Sequence, residues 1–152
     1  MRLRSLLAAL TLVAALPAQV TPMPGTGCTN GSPPLVAGSP QIGQSITVLS
    51  DQFPCNSPQT TAFVGVSVSC STLPGVNFSC NASVNPCVLI AVDVFSSAPI
   101  RHSFTINIPN NPALVGAQFC VQGGCITTFL PPPPLLACFF TLNQAAQITI
   151  LP

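Results

Sequence analysis

Apolar and polar residues alternate along most of the chain with a period of two. In residues 64–70 valine and cysteine alternate with glycine and serine, and in residues 103–108 phenylalanine and isoleucine alternate with serine, threonine and asparagine. This period is typical of β-strands that bury one face and differs from the repeat of an amphipathic helix. Residues 88–95 are apolar on both faces, which predicts a strand at the centre of a sheet.

Turn signals separate the predicted strands. Further strands are predicted at residues 45–49, 117–121, 137–142 and 147–151, with proline-, glycine- and asparagine-rich breaks between strands. No segment after residue 18 carries a convincing helical stripe, although residues 112–115 could form one short turn. Roughly seven or eight short strands with this spacing predict an all-β fold, a disulfide-stabilised antiparallel β-sandwich of immunoglobulin-like or jelly-roll-like type.

The first 18 residues are typical of a secretory signal peptide. Arg2 and Arg4 precede an apolar run at residues 6–16, and Pro17-Ala18 offers a small residue for cleavage. A membrane span needs about 20 apolar residues, so this run is too short to be one. We expect a signal peptide at 1–18, an extended lead-in at 19–34 and a single β-sandwich domain at 35–152. The product would be secreted, either extracellular or in the periplasm or cell envelope, without a membrane span.

Charged side chains are nearly absent after the leader. Only Asp51, Asp93 and Arg101 remain, and the sequence contains no Lys, Glu, Tyr or Trp. Nucleic-acid binding needs clusters of basic side chains, and general acid–base catalysis needs ionisable groups held together. The composition therefore argues against nucleic acid as a partner and against an enzyme. It offers no catalytic, cofactor-binding or metal-binding residue.

The cysteines are the most distinctive residues of the chain. An even number in an exported protein predicts disulfides, and four bridges at about 2–4 kcal/mol each would supply stability in the absence of ion pairs. Metal binding is the alternative, but the chain has no Cys-x-x-Cys pair and its one histidine is His102. The eight disulfide candidates all follow the leader: Cys28, Cys55, Cys70, Cys80, Cys87, Cys120, Cys125 and Cys138.

Sequence proximity suggests two disulfide pairings. Cys120 and Cys125 enclose Val-Gln-Gly-Gly, a candidate turn, so a bond between them would staple a hairpin. Cys80 and Cys87 enclose a similar loop that contains asparagine and proline. Cys28 is expected to tie the lead-in to the domain. Eight cysteines allow about a hundred pairings, so the sequence leaves the connectivity open.

The other polar candidates have ordinary structural explanations. His102 follows Arg101 at a predicted strand start, and no Gly-x-Ser-x-Gly sequence suggests that it belongs to a Ser–His–Asp triad with Asp51 or Asp93. Asp51 lies at a strand end, where a turn-forming aspartate is common. Asp93 interrupts an apolar run, and we expect it either to face solvent or to pair with Arg101 across a sheet.

A series of short motifs covers most of the chain after the leader. The most specific is Ile-Pro-Asn-Asn-Pro-Ala-Leu-Val-Gly-Ala-Gln-Phe at residues 108–119, followed by Gln122. The others are Gly-Ser-Pro and Ile-Gly at 38–43, Asn-Ser-Pro at 56–58, Phe-Val-Gly at 63–65, Pro-Cys-Val-Leu at 86–89, Leu-Asn at 142–143 and Ala-Gln-Ile-Thr-Ile at 146–150. Their order resembles a group of small secreted modules predicted in planctomycetes and related bacteria. The resemblance implies an exported β-rich module without an assigned activity, although this chain has many more cysteines.

The sequence therefore predicts a secreted, disulfide-rich structural or interaction module with no catalytic activity and no cofactor. Envelope or extracellular surface components are the expected partners, together with self-association, because apolar strands without flanking charge are poorly protected against edge-to-edge pairing. The alternative is an extracellular glycan- or surface-binding module. Sugar-binding faces normally use Trp or Tyr, which are absent, so such a face would need exposed phenylalanines.

Overall fold

The part of the chain that the structure describes consists almost entirely of β-strands. The structure is a computed structural model, and it describes residues 19–28, 34–50, 60–76, 87–99, 102–129 and 137–152. A 3₁₀ turn at Pro112–Leu114 lies between the eighth and ninth strands. In chain order the strands are β1 (Val20–Pro22), β2 (Leu35–Gly38), β3 (Ser45–Ser50), β4 (Thr60–Ser67), β5 (Thr72–Val76), β6 (Cys87–Ile90), β7 (Val94–Pro99), β8 (His102–Asn107), β9 (Gln118–Phe129), β10 (Ala137–Leu142) and β11 (Ala146–Thr149).

Antiparallel pairing arranges these strands in three sheets. The largest has the order β1-β11-β9-β4-β7, and β10 also pairs with β9. The second has the order β2-β3-β8, and the third consists of β5 and β6. β10 and β11 lie along the same edge of β9, and residues 143–145 bulge between them opposite residues 122–123.

The six-stranded and three-stranded sheets enclose the main apolar core. Ile46 and Val48 of β3 pack with Val64 of β4, Val121 of β9 and Ile148 of β11, and all five are buried. They lie on one face of each strand, as the period of two predicts. The all-β, antiparallel and disulfide-stabilised fold is thus confirmed, with two sheets packed through their apolar faces. The choice between immunoglobulin-like and jelly-roll-like topology stays a prediction.

The two-stranded sheet forms a third layer on the outer face of the six-stranded sheet. Ile90 of β6 is buried in a cluster with Cys120 and Ala145, and Val92, just after β6, packs against this cluster. Val92 also lies over Gly65 of β4, where a β-carbon would approach its Cγ2 to 2.8 Å. The layers come so close here that β4 needs a glycine at this position.

Residues 88–95 do not form the predicted central strand. β6 ends at Ile90 in the two-stranded sheet, and β7 begins at Val94 on the edge of the six-stranded sheet. The break is stabilised by Asp93, whose backbone N–H donates to Val66 O at 2.9 Å and whose carboxylate accepts from Val68 N–H at 2.8 Å. The run is apolar on both faces because its two halves belong to different sheets.

Two other predicted strands have different bounds in the structure. The strand predicted at 64–70 runs from Thr60 to Ser67 and ends before Cys70, whose φ of 53° is left-handed. The strand predicted at 117–121 continues to Phe129 as β9, so there is no turn between Cys120 and Cys125. Its length is explained by its three neighbours, since β4, β10 and β11 all pair with it.

The segment before β2 is tied into the fold. β1 pairs with β11, and Met23 N–H donates to Ala145 O at 2.8 Å. Gly27 exchanges two backbone hydrogen bonds with Val88 of β6. Because Cys28 is bonded to Cys87, the lead-in holds the third layer against the main sheet.

The most specific sequence motif, at residues 108–119, forms the connection from β8 to β9. Asn111 caps the 3₁₀ turn, since its Oδ1 accepts from Ala113 N–H at 3.0 Å, and Pro112 is the first residue of the turn. Gly116 has a φ of 82°, which favours glycine, and its N–H donates to Ile150 O. The distinctive residues of this motif therefore have structural roles.

Candidate functional site

Four polar side chains lie at one end of the space between the two main sheets. We call Ser50, Ser96, His102 and Asn143 the inter-sheet polar cluster. Ser50 is opposite His102 in the pairing of β3 with β8, and His102 reaches Ser96 on β7. Asn143 lies in the bulge between β10 and β11, and its amide nitrogen and Ser50 Oγ both lie close to the Cα of Gly123 on the same side. In the cluster, side chains from both sheets meet.

Of the contacts in this cluster, the one between His102 and Ser96 has the residue types that catalysis would need. His102 Nε2 and Ser96 Oγ form a hydrogen bond of 2.9 Å. Desolvation by burial lowers the pKa of His102 below its ordinary value of 6.5, so the neutral imidazole is favoured. A neutral imidazole beside a hydroxyl is the pairing that activates serine nucleophiles in hydrolases.

A carboxylate that orients the histidine would complete such a triad. Asp93 carries the only carboxylate side chain among the described residues, and it accepts a hydrogen bond from Val68 N–H at the end of β4. Asp51, the other candidate, lies outside the described residues. Within the described part of the chain, the contact is therefore a pair between two strands, without an orienting acid on the imidazole.

Ser50 and Asn143 form the buried end of the cluster. Ser50 Oγ donates to Gly124 O at 3.0 Å, and both Ser50 and Asn143 are buried. Gly123 lies between them: a β-carbon there would be 3.2 Å from Ser50 Oγ and 3.3 Å from Asn143 Nδ2. Asn143 Nδ2 meets no hydrogen-bond acceptor among the described residues, so this donor is buried without compensation.

Gln122 connects three parts of the fold on the outer side of the six-stranded sheet. Its side chain is almost fully buried, and Oε1 accepts from Ile90 N–H at 2.9 Å. Nε2 donates to Val88 O at 3.1 Å and to Asn143 O at 2.9 Å. Three of the four hydrogen-bonding positions of the amide are thus used inside the protein, and the role of Gln122 is structural.

Two disulfides hold connecting segments to the strands that they pack against. Cys28 bonds to Cys87, which joins the lead-in to β6, and Cys70 bonds to Cys120, which joins the bend after β4 to β9. Cys125 is also disulfide-bonded. Cys55, Cys80 and the side chain of Cys138 lie outside the described part of the structure.

Both pairings suggested by sequence proximity are wrong, because Cys120 bonds to Cys70 and Cys87 bonds to Cys28. Cys120 and Cys125 lie on the continuous strand β9, an odd number of residues apart, so their side chains point to opposite faces of the sheet. A hairpin staple between them is therefore excluded by the direction of the side chains.

The predicted contact between Asp93 and Arg101 lies partly outside the described residues, since Arg101 is among those not described. Asp93 itself is exposed at the break between β6 and β7, and its carboxylate accepts from Val68 N–H just after β4. Its role in the described structure is therefore to support a turn.

Three exposed apolar side chains, Val68, Val94 and Phe95, lie in or beside β7. Phe95 is 61% exposed on the outer face of the strand and Val94 is 49% exposed on the inner face. Val68 is close by, since its N–H donates to the carboxylate of Asp93. The Phe95 ring stacks on buried Phe63 with 5.5 Å between ring centroids. Phe95 is therefore held in a defined position while its outer side faces solvent.

Sequence reasoning missed Gln122, Ser96 and Asn143. The sequence places Gln122 in a candidate turn between two cysteines, and its one local signal is that it is a polar residue within an apolar stretch. Ser96 and Asn143 have no local signal, because their neighbours come from strands distant in the sequence. Their roles follow from the pairing of the sheets.

Comparison with protein-family models, with curated proteins and with solved structures gives no match. In the described residues, no helix has the length and apolar character needed to cross a membrane. The same residues contain no group of three or more His, Cys, Asp or Glu side chains placed to hold a metal ion.

Proposed function

We propose that this protein is an exported, disulfide-locked structural or interaction module that acts by contact and not by catalysis. The observation that carries the proposal is the pair of disulfides Cys28–Cys87 and Cys70–Cys120, in a fold with almost no charged groups. Such ties favour persistence outside the cell, where disulfides are stable.

The proposed location is the extracellular space or the cell envelope. Two intramolecular disulfides suggest an oxidising compartment, and the basic and apolar residues of 1–18 supply an export signal. The resemblance to small secreted bacterial modules agrees with this location. The motif at residues 108–119, which carries that resemblance, makes a structural connection, so it supports relatedness in fold and not a shared active site.

Export and oxidation are tested by expressing the full chain in a bacterium with a periplasm. We expect a processed protein beginning near Gln19 in the periplasm or medium. Non-reducing peptide mapping should yield one linked pair of peptides with Cys28 and Cys87 and another with Cys70 and Cys120. A reduced, unprocessed protein in the cytoplasm would contradict the proposal.

The absence of catalysis is tested at the Ser96–His102 pair, the only described contact with the chemistry of an activated nucleophile. A fluorophosphonate probe reacts covalently with serines that a base activates. We expect no labelling of the folded, oxidised protein. Labelling that disappears in Ser96→Ala and in His102→Gln, but persists in Ser97→Ala, would overturn the proposal in favour of a hydrolase.

A second candidate function is glycan binding, which the exposed ring of Phe95 favours. Its stacking on Phe63 holds the ring in place, and Ser97 and Pro99 are exposed on the same face of β7. Sedimentation of the protein with insoluble polysaccharides tests this candidate. Binding that is lost in Phe95→Ala, but retained in Leu35→Ala on the other sheet, would favour a glycan-binding module.

A further inference from the structure

The free edge of β7 has the properties of a site for strand addition. β7 is the last strand in the order of the six-stranded sheet, and β4 pairs with one side of it over all six residues. No strand among the described residues pairs with its other side. An edge strand presents a row of backbone donors and acceptors that a further strand can complete.

The side chains of β7 favour pairing and do not prevent it. The strand Val-Phe-Ser-Ser-Ala-Pro has no charged residue, and it exposes Val94 on one face and Phe95 on the other. Edge strands of monomeric proteins are usually protected by lysines, inward-pointing charges or bulges. The protection on β7 is confined to its ends, with Asp93 before the strand and Pro99 as its last residue.

Among the other edge strands, β8 and β10 also have six residues, whereas β1 and β2 are shorter than β7. β1 has only three residues and ends in Pro22, which has no N–H to donate. β2, at the edge of the three-stranded sheet, has four residues. β7 offers six, which makes it a longer edge for an incoming strand than either of these.

The neighbouring edge of the second sheet extends the same surface. β8 is the last strand of the three-stranded sheet, and the hydrogen bond between Ser96 and His102 holds it beside β7. The six residues of β8, His-Ser-Phe-Thr-Ile-Asn, contain no Asp, Glu, Lys or Arg. An approaching molecule therefore meets two adjacent uncharged edges on this side of the sandwich.

We propose that the occupant of this edge is a second copy of the same chain, which pairs antiparallel with β7 through a two-fold axis. In such an isologous contact the free backbone donors and acceptors of the strand meet those of its own symmetry mate, so an uncharged edge can pair with itself. Uncharged edges bring no like-charge repulsion, and a net charge near zero favours association. This inference rests on the proposed function and specifies its partner.

Sedimentation equilibrium of the mature, oxidised chain over a wide range of concentrations tests the proposal. We expect a monomer–dimer equilibrium. Phe95→Lys would place a charged side chain on the paired strands, so it should raise the dissociation constant of the dimer by at least about tenfold. Val94→Lys should also raise this dissociation constant. The matched control is Leu35→Lys, which changes an exposed leucine on the edge strand β2. It should leave the equilibrium unchanged.

Hydrogen exchange of the unmodified protein provides a second measurement that does not depend on a variant folding. Amides of β7 should exchange more slowly as association increases, while amides of β2 should not change. A monomer at every concentration would overturn the proposal, as would a dimer that is unaffected by Phe95→Lys or is weakened equally by Leu35→Lys. A strict monomer would leave the proposed module function standing, whereas covalent labelling of Ser96 would overturn that function without affecting the pairing of β7.

Discussion

The side-chain carbonyl of Gln122 accepts a hydrogen bond of 2.9 Å from the backbone N–H of Ile90. For this N–H of β6 it acts as the backbone carbonyl of a neighbouring strand would. The same amide donates to Val88 O, two residues before Ile90, and to Asn143 O in the bulge between β10 and β11. One buried side chain thus joins β6, β9 and the bulge. The third layer depends on this polar contact as well as on apolar burial.

Removal of this amide should destabilise the protein more than a surface substitution. Gln122→Ala leaves the buried N–H of Ile90 without its acceptor, and we expect a loss of about 2–4 kcal/mol. Gln122→Glu keeps the shape but replaces the donating Nε2 with an oxygen that faces two carbonyl oxygens. At neutral pH this variant should be less stable than Gln122→Ala, since its carboxylate would be buried without a partner.

Guanidinium unfolding followed by circular dichroism measures both variants. Gln118→Glu is the matched control, since Gln118 is exposed on the same strand, and its effect should stay within about 0.5 kcal/mol. Equal stabilities for Gln118→Glu and Gln122→Glu would contradict the structural role assigned to Gln122.

The Cys70–Cys120 disulfide should provide a large part of the stability of the fold. It closes a loop with a sequence separation of 50, for which the loss of unfolded-state entropy corresponds to about 4 kcal/mol. Cys70→Ser combined with Cys120→Ser should therefore lower the free energy of unfolding by about that amount. Thermal unfolding under non-reducing conditions measures the change.

The control for this experiment is peptide mapping. It must show that the double variant still contains the Cys28–Cys87 bond. A double variant as stable as the parent, with that bond intact, would show that Cys70–Cys120 has no stabilising role. The two loops overlap in sequence, so the effects of removing both disulfides should not be additive.

Several of the longer strands could be predicted from the sequence because their alternation is a local signal, whereas β1, β2 and β5 were not predicted. The alternation in residues 45–49 and 103–108 corresponds closely to β3 and β8, whose inner residues Ile46, Val48 and Ile106 contribute to the core. Alternation reports which face of a strand is buried. It does not report which sheet a strand joins, so the sequence predicts one strand over residues 88–95 where the structure has two.

The disulfide pairs and the polar contacts could not be predicted, because they depend on pairing between distant segments. Cys70 meets Cys120 only after β4 and β9 are paired, with Ser67 opposite Cys120 in that register. Ser96 meets His102 only because β7 and β8 end their sheets on the same side. Spacing along the chain contains neither relationship.

Gly65 and Val92 should show strong energetic coupling. A β-carbon at Gly65 would lie 2.8 Å from Cγ2 of Val92, so Gly65→Ala requires the third layer to move away from the six-stranded sheet. We expect a loss of about 1–3 kcal/mol, as for other overpacked sites. Val92→Ala removes the clashing atom, so the double variant should be more stable than the sum of the two single effects predicts.

A double-mutant cycle by guanidinium unfolding measures this coupling. The control cycle combines Gly65→Ala with Val94→Ala, because Val94 is exposed and is absent from the atoms that a β-carbon at Gly65 would meet. Additive effects in both cycles would show that a β-carbon at Gly65 does not press against Val92, in contradiction to the packing described above.

Stability near neutral pH should depend on His102. It is the only histidine in the sequence, so no other side chain that ordinarily titrates near 6.5 is present. Burial lowers its pKa, so the folded state binds fewer protons than the unfolded state between the two pKa values. Stability should therefore be constant above this window, fall as the pH is lowered through 6.5, and level off once both states are protonated.

Urea unfolding at a series of pH values measures this dependence, and His102→Gln should abolish it. Ser96→Ala is the second variant: it removes the hydrogen bond between the sheets but keeps the imidazole, so stability should be lower at every pH while the dependence on pH remains. A rise in stability on acidification through this range would contradict the lowered pKa of His102, since it would require the folded state to bind the proton more tightly. A dependence retained in His102→Gln would assign the titration to another group.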